Sequence, residues 1–468
     1  MSRFTVAVVV GLLGLVHAHA LAQDAPPTSA DAPASALGDA TTTPAAGPHD
    51  EASHDTADGD AAQDASVDPS SGDPAPDATE QGTGAQDADD AGDAGDGDED
   101  DAPDGPSIDF HGTLEAAYGY NFNDPSNGVT AWRWYDARHD LIGLQSALLS
   151  ANWAAGPVTG TLQLQFGALT ELFWEGSRSI EEDLLWRLIQ QATTEWQTPF
   201  EPLSLEGGVF NVPFGPEYNN AYLNWNWSTS NLFALMPYQI AGFRLNYDLG
   251  AGLTARAGVF NGWDQIISDN NGDKSMLLSL EYDDPNDEGN YVYVNYMVGV
   301  ERDTGDPRGH NARHTFDLYG QWHAAQPVFL RAHVFGGFEA GNPGDDGWLG
   351  AALSGRAELH ESFSISARGD VVRTFAGAQN LFHTDTLALN ELGADTSTLL
   401  GSGTLTLDYH PFSFASLRLE VRHDRADFPL FFAGDVPTGT LNVPDPEGED
   451  RPTATEQTTL TAGLTAWC

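Results

Sequence analysis

Over residues 108–467 the chain alternates apolar and polar residues with a period of two, and the polar member of the pair is often charged. Near the C-terminus Leu417, Leu419 and Val421 fall on one face of such a segment, and Arg418, Glu420 and Arg422 on the other. Phe363, Ile365, Ala367 and Val371 oppose Ser364, Ser366, Arg368 and Asp370 in the same way, and at the start Ile108, Phe110, Leu114 and Tyr118 oppose Asp109, His111, Thr113 and Glu115. A strand of this kind presents one face to an apolar medium and the other to a polar one. A packed sandwich core does not tolerate unpaired charge on its buried side. The pattern therefore predicts a sheet whose apolar face meets lipid. After the N-terminus no stretch approaches the roughly 18 apolar residues that a membrane-spanning helix requires, so a crossing would be made by strands.

Sixteen segments carry the pattern: 108–121, 139–154, 157–168, 187–198, 203–211, 238–249, 252–261, 274–284, 290–300, 312–323, 327–338, 348–359, 363–375, 401–410, 415–425 and 456–467. Most have the length, about 9–11 residues, needed to cross a bilayer at a tilt. Short links, such as AAGP, PFEP, DPNDEG, AAQ and HES, are interleaved with long ones at 122–138, 169–186, 212–237, 262–273, 301–311, 339–347, 376–400 and 426–455. Outer-membrane barrels have short periplasmic turns and long external loops, and an even strand number returns both termini to the periplasm. The expected fold is all-β: a transmembrane antiparallel up-and-down barrel of 16 strands. A soluble sandwich or jelly roll gives no reason for the strict short–long alternation.

The N-terminal residues 1–22 combine Arg3, an apolar run and small Ala20 and Ala22 before Gln23, which reads as a cleaved secretory signal. No Cys follows that run, so a lipoprotein is excluded, and the one cysteine, Cys468, has no partner for an internal disulfide. Residues 23–107 hold 23 Asp and Glu, no Lys, Arg or aromatic residue, and only Leu37 and Val67 as large aliphatics. Such a segment buries too little apolar surface to offset its ordering entropy and is expected to be a disordered arm. Most of the formal charge of −50 is not there, since the remainder keeps 46 acids and 18 bases. Nucleic acid is not an expected partner of either part. The domain reading is thus a signal peptide over 1–22, an acidic arm over 23–107 and a barrel over 108–468.

Extending the alternation around the barrel puts Glu115, Glu195, Glu206, Asp248, Glu281, Asp317, Glu358, Asp370 and Glu420 on the lumen side, with Arg244, Arg256, Arg331, Arg356, Arg368, Arg418 and Arg422 among them. Facing charges of both signs order water and penalise apolar solutes, whereas rings of one sign select ions more sharply. The plainer role for each is to pair across strands and keep the wall hydrated. Acids in the loops, Glu181, Glu182 and Asp183 or Asp445, Glu447, Glu449 and Asp450, would give the outer mouth a negative potential and a mild preference for cations. The third long loop, 212–237, is rich in Asn and aromatics and is a candidate constriction carrying Glu217, Tyr222, Trp225 and Trp227. Tyr222, Trp225 and Trp227 have rings suited to stacking on sugar faces, and equally to capping the loop or joining an interfacial girdle. The stretch SDNNGDKS at 268–275 has hard oxygen donors but not the spacing of a calcium loop. No metal or other cofactor is expected.

Several segments resemble the β-barrel porin-2, or OmpL-like, family of bacterial outer-membrane proteins: AAYGYNFNDPSNG at 116–128, LIQQATTEWQTP at 188–199, GGVFNVPFGPE at 207–217, the run at 224–247 and GVFNGWDQIISDNNGDKS at 258–275. The likeness covers nearly all of 108–467 and not the arm. It implies a monomeric or homotrimeric porin-like pore without catalytic residues, delivered by the outer-membrane assembly machinery and passing small polar solutes or ions. One departure is the end, where Trp467 is followed by Cys468 rather than closing the chain on an aromatic residue. Two rivals remain at this point: a tether acting through the arm, and a barrel hydrolase built from His314, Asp317 or Ser364. No nucleophile elbow or H-E-x-x-H spacing supports the second.

Overall fold

A computed structural model of the protein describes residues 105–133, 136–170, 188–287, 289–306, 310–339, 346–375, 397–436 and 452–468. The signal and arm expectations, and the loop acids at 181–183 and 445–450, lie outside these residues. Sixteen strands are present: β1 Ser107–Asn121, β2 Leu141–Ala155, β3 Val158–Phe166, β4 Ile189–Gln197, β5 Leu203–Asn211, β6 Gln239–Gly250, β7 Leu253–Phe260, β8 Ser275–Asp283, β9 Tyr291–Val300, β10 Ala312–Ala325, β11 Val328–Glu339, β12 Asp346–His360, β13 Phe363–Thr374, β14 Thr398–Phe412, β15 Ala415–Ala426 and β16 Glu456–Trp467. Each falls on an expected segment, with ends shifted by a few residues.

Every strand pairs antiparallel with its sequence neighbours, and β16 pairs with β1, so the sheet closes with no edge. Closure removes the row of unpaired N–H and C=O groups that an open sheet exposes, which a hydrocarbon surround cannot satisfy. The seam runs from Thr113 opposite Trp467 to Asn121 opposite Thr459. Cys468 extends it by one step, exchanging two backbone hydrogen bonds with Gly112 at 2.9 and 3.1 Å. The departure at the C-terminus therefore leaves the closure intact.

Short turns are built tightly. Between β6 and β7, Gly250, Ala251 and Gly252 all take positive φ, and a Cβ on Gly252 would lie 1.9 Å from the Asp283 carbonyl oxygen. Only glycine fits there.

Burial runs opposite to that of a soluble protein. Along β15, Leu417, Leu419 and Val421 are 46%, 46% and 47% exposed, whereas Arg418, Glu420, Arg422 and Asp424 are 5%, 1%, 2% and 0% exposed. The same inversion holds on β1, where Ile108, Phe110 and Leu114 are exposed and Thr113 and Glu115 buried. An exterior of this extent and apolarity is the surface of a barrel that sits in a bilayer. The polar material is inside.

Towards the long-loop end the interior turns apolar. Inward-facing Phe210, Ile240, Phe260, Phe335 and Trp348 pack with Phe214, Leu232, Phe233, Leu235 and Met236 of the β5–β6 loop, and with Leu430 and Phe431 beyond β15. The loop's own non-polar residues thus find their core within the barrel.

Candidate functional site: the lumen and its inner loop

The β5–β6 loop, residues 212–238, runs through the lumen, and its two single 3-10 turns are Ala221–Leu223 and Phe233–Leu235. A chain crossing a polar interior must satisfy its backbone groups, and the inward charges of the wall do this. Glu115 of β1 accepts the Tyr222 N–H at 2.8 Å. Glu420 of β15 accepts the N–H groups of Trp227 and Ser228 at 2.6 and 3.0 Å, together with the Thr406 hydroxyl. Asp370 of β13 accepts Asn231 at both backbone and side chain, and Asp317 of β10 accepts the Gly215 N–H.

Arginines hold the opposite polarity. Arg368 donates to the Ser228 and Thr229 carbonyls at 2.5 and 2.9 Å and to Glu217 of the loop at 2.8 Å. Arg418 donates to the Ala221 carbonyl, and Arg422 to the Thr229 carbonyl at 2.5 Å. Arg331 donates to the Pro216 carbonyl at 3.3 Å and lies over the Trp225 ring, 4.0 Å from its centroid. Bonds of this kind, with one partner ionised, are about twice as strong as neutral ones. The loop is therefore clamped across its length.

Of the wall residues expected on the lumen side, Glu115, Glu206, Glu281, Asp317, Asp370, Glu420, Arg244, Arg368, Arg418 and Arg422 are buried, Glu195, Arg256, Arg331 and Arg356 are half-buried, and Asp248 and Glu358 are exposed; their partners differ. Arg244 pairs with Glu206 at 2.7 Å and Arg256 with Glu281 at 2.9 Å, across neighbouring strands. Arg356 has only distant carboxylates, Asp408 at 3.6 Å and Glu358 at 3.7 Å. Glu115, Asp370, Glu420, Arg368, Arg418 and Arg422 are engaged mainly by the loop. Cross-strand pairing, the role expected for each of them, is a minority arrangement for this subset, because the loop backbone brings more unsatisfied groups than the wall does.

The loop aromatics separate into distinct environments. Trp227 is fully buried against β16, where a Cβ on Gly463 would stand 2.2 Å from its ring, so it has no face open to a solute. Tyr222 stacks on Trp467 with centroids 6.2 Å apart, and Trp225 is half-buried beneath Arg331. Glu217 accepts the Ser230 N–H and holds the loop's two limbs together.

Some participants escape the sequence. Asp408, fully buried, receives Arg418 at 3.2 Å and the Ser416 hydroxyl at 2.6 Å. Arg133, from the β1–β2 loop, folds inward to Asp424 at 2.7 Å and Thr459 at 2.9 Å. Asp408 shares a face with Thr404 and Thr406, a signal available in the alternation, whereas nothing near Arg133 announces its target.

The hydrolytic set does not assemble. His314 points outward, stacked on Phe338, while Asp317 and Ser364 point inward on β10 and β13. In the 268–275 stretch the Asp269 carboxylate is occupied by the N–H groups of Asn271 and Gly272 and by Lys274. Among the described residues no group of three or more His, Cys, Asp or Glu is arranged to hold a metal ion.

A closed sixteen-stranded barrel with an apolar exterior, a charged interior and a loop threaded through the lumen defines a porin-type outer-membrane protein. The chain belongs to the beta-barrel porin-2, OmpL-like family, whose model matches residues 107–466. Among solved structures it is similar to OmpT of Vibrio cholerae, at 11% identity over 78% of this chain and 98% of that one with a TM-score of 0.49. It is also similar to an anion-selective porin from Comamonas acidovorans (12% identity, 78% and 100% covered, TM-score 0.49) and to the outer-membrane channel DcaP of Acinetobacter baumannii (13%, 78% and 98%, 0.47). No curated protein matches the chain by sequence.

Proposed function

We propose that the protein is a passive outer-membrane pore for small polar solutes or ions, with the loop at 212–238 setting the size limit and with no catalytic role. The observation that carries this reading is the clamped loop. Wall carboxylates and guanidiniums bind its backbone from both polarities, which supports a fixed constriction rather than a mobile flap. The wall beside the loop carries buried charges of both signs, so solutes that keep their hydration are favoured over apolar ones. The short turns and the two ends of the strand series, Ser107 and Trp467, lie at one end of the barrel, which by the usual orientation is periplasmic. The negative potential expected from the loop acids belongs to the opposite, outer mouth and favours cation entry there; a homotrimer is the assembly this reading carries.

Reconstitution of the mature chain into planar bilayers tests it. Small, stable, ohmic single-channel steps are expected, with trimers surviving unheated electrophoresis. A folded, heat-modifiable barrel that passes no current would sink the pore reading.

A further inference from the structure

Three guanidiniums of the lumen wall lie near one another on the terminus side of the loop. Arg331 of β11 and Arg356 of β12 are diagonal neighbours, since Arg331 pairs in register with Ser354 and Arg356 with Phe329. Such neighbours stand about 7–8 Å apart. Arg418 of β15 joins them through Asp408, which lies 3.2 Å from Arg418 and 3.6 Å from Arg356. Against the three stand Asp408, shared also with Ser416 and His410, and Glu358, whose side chain is half exposed.

Arg356 differs from the other wall arginines. It makes no hydrogen bond among the described residues, and its two carboxylate neighbours are beyond 3.5 Å. Its planar fork of five donors is therefore largely unspent. Around it the wall offers hydroxyls. Ser366 lies directly opposite Arg356 on β13, Ser364 is the next inward residue on that strand, and Ser354 precedes Arg356 on its own strand. Ser364 and Ser366 are 2% and 1% exposed, and neither hydroxyl has a hydrogen-bond partner. Buried polar atoms are rarely left so, and each unmet one carries a cost of about 1–3 kcal/mol.

We propose that the lumen on the terminus side of the loop holds a small oxyanion, phosphate or carboxylate, on Arg331 and Arg356, with the half-buried Ser354 as a neutral donor. Guanidinium matches the planar, bidentate geometry of such oxygens, and hydroxyl donors add bonds without adding charge. The Arg331 guanidinium lies over the Trp225 ring and donates its Nε–H to Gln321 at 2.6 Å, which fixes its plane and leaves the Nη2 edge for an anion. The terminus side of the lumen then retains anions. The side from which the anion arrives rests on the pore reading; the binding itself does not.

Calorimetry of the mature chain folded in detergent, with inorganic phosphate titrated at constant ionic strength, reads the site directly. Saturable binding is expected, weakened at least about tenfold in Arg356→Gln and less in Arg356→Lys, which keeps the charge but loses the fork. Arg425→Gln, at the opposite rim and facing outward, should bind as the parent does. Succinate in place of phosphate separates a carboxylate site from a phosphate site. In bilayers, phosphate on the terminus side should reduce the current at concentrations where the loop side has no effect. Should Arg356→Gln fail to fold, Arg331→Gln serves in its place. Absent or non-saturable phosphate and succinate binding, or binding unchanged in both Arg356→Gln and Arg331→Gln, overturns the proposal. Absent current with intact binding instead overturns the pore reading.

Discussion

Glu420 shows how much one lumen residue is asked to do. Its carboxylate takes two successive loop N–H groups and the Thr406 hydroxyl while being almost wholly buried. Glu420→Ala leaves those donors unmet at about 1–3 kcal/mol each. The loop should loosen while the barrel stays closed, giving larger and noisier single-channel currents; an unchanged trace would mean that the contact does not hold the loop. Asp264, in the β7–β8 loop, anchors the other end by accepting the N–H groups of Tyr238 and Gln239 at 2.6 and 3.1 Å. Burial pushes its carboxyl up to about 7 against these hydrogen bonds, which pull it down. A folded-state value above the unfolded one means that its contribution is complete below about pH 4 and is lost as pH rises through about 7. Loop fluctuation, read as current noise, should therefore increase from pH 5 to pH 8, and Asp264→Asn should flatten that rise.

Each strand carries two solvents on its two faces, and β15 makes the test simple. Leu419→Arg places a charge on the lipid side and should cost about 2–4 kcal/mol, measured by denaturant titration of barrel folding into vesicles. The loop behaves as an element too, because its ends are fixed by strands and its middle by wall charges. Replacing residues 219–231 with a short Gly–Ser link removes the Tyr222, Trp227 and Asn231 contacts together. Conductance should rise several-fold with folding preserved. Unchanged conductance would show that the limiting constriction lies elsewhere.

For the whole molecule, closure is what makes the rest possible. β1 and β16 lie more than three hundred residues apart in sequence and pair over nine positions, from Thr113–Trp467 to Asn121–Thr459. The family match begins at residue 107, after the acidic stretch. Removing residues 23–104 should leave barrel folding and single-channel conductance as they are; a lost barrel or an altered current would give the arm a part in the pore.

The period of two, the length of each segment and the alternation of short and long links determined the architecture from sequence alone. All three are local, and each follows from a strand meeting lipid on one side and water or polar groups on the other. The side on which Glu115 and Arg422 are buried follows the same alternation. What the tertiary structure alone decided is what those inward charges touch. Glu420 and Trp227, or Arg368 and Thr229, are far apart in the chain, and no periodicity relates a wall residue to the loop backbone it binds. The same holds for Trp227 under Gly463, for Arg133 on Asp424 and for Arg356, left without a hydrogen bond while its neighbours are engaged. Alternation reads the solvent of a face; partners across a lumen are set by the path of a loop through three dimensions, which depends on every wall contact at once.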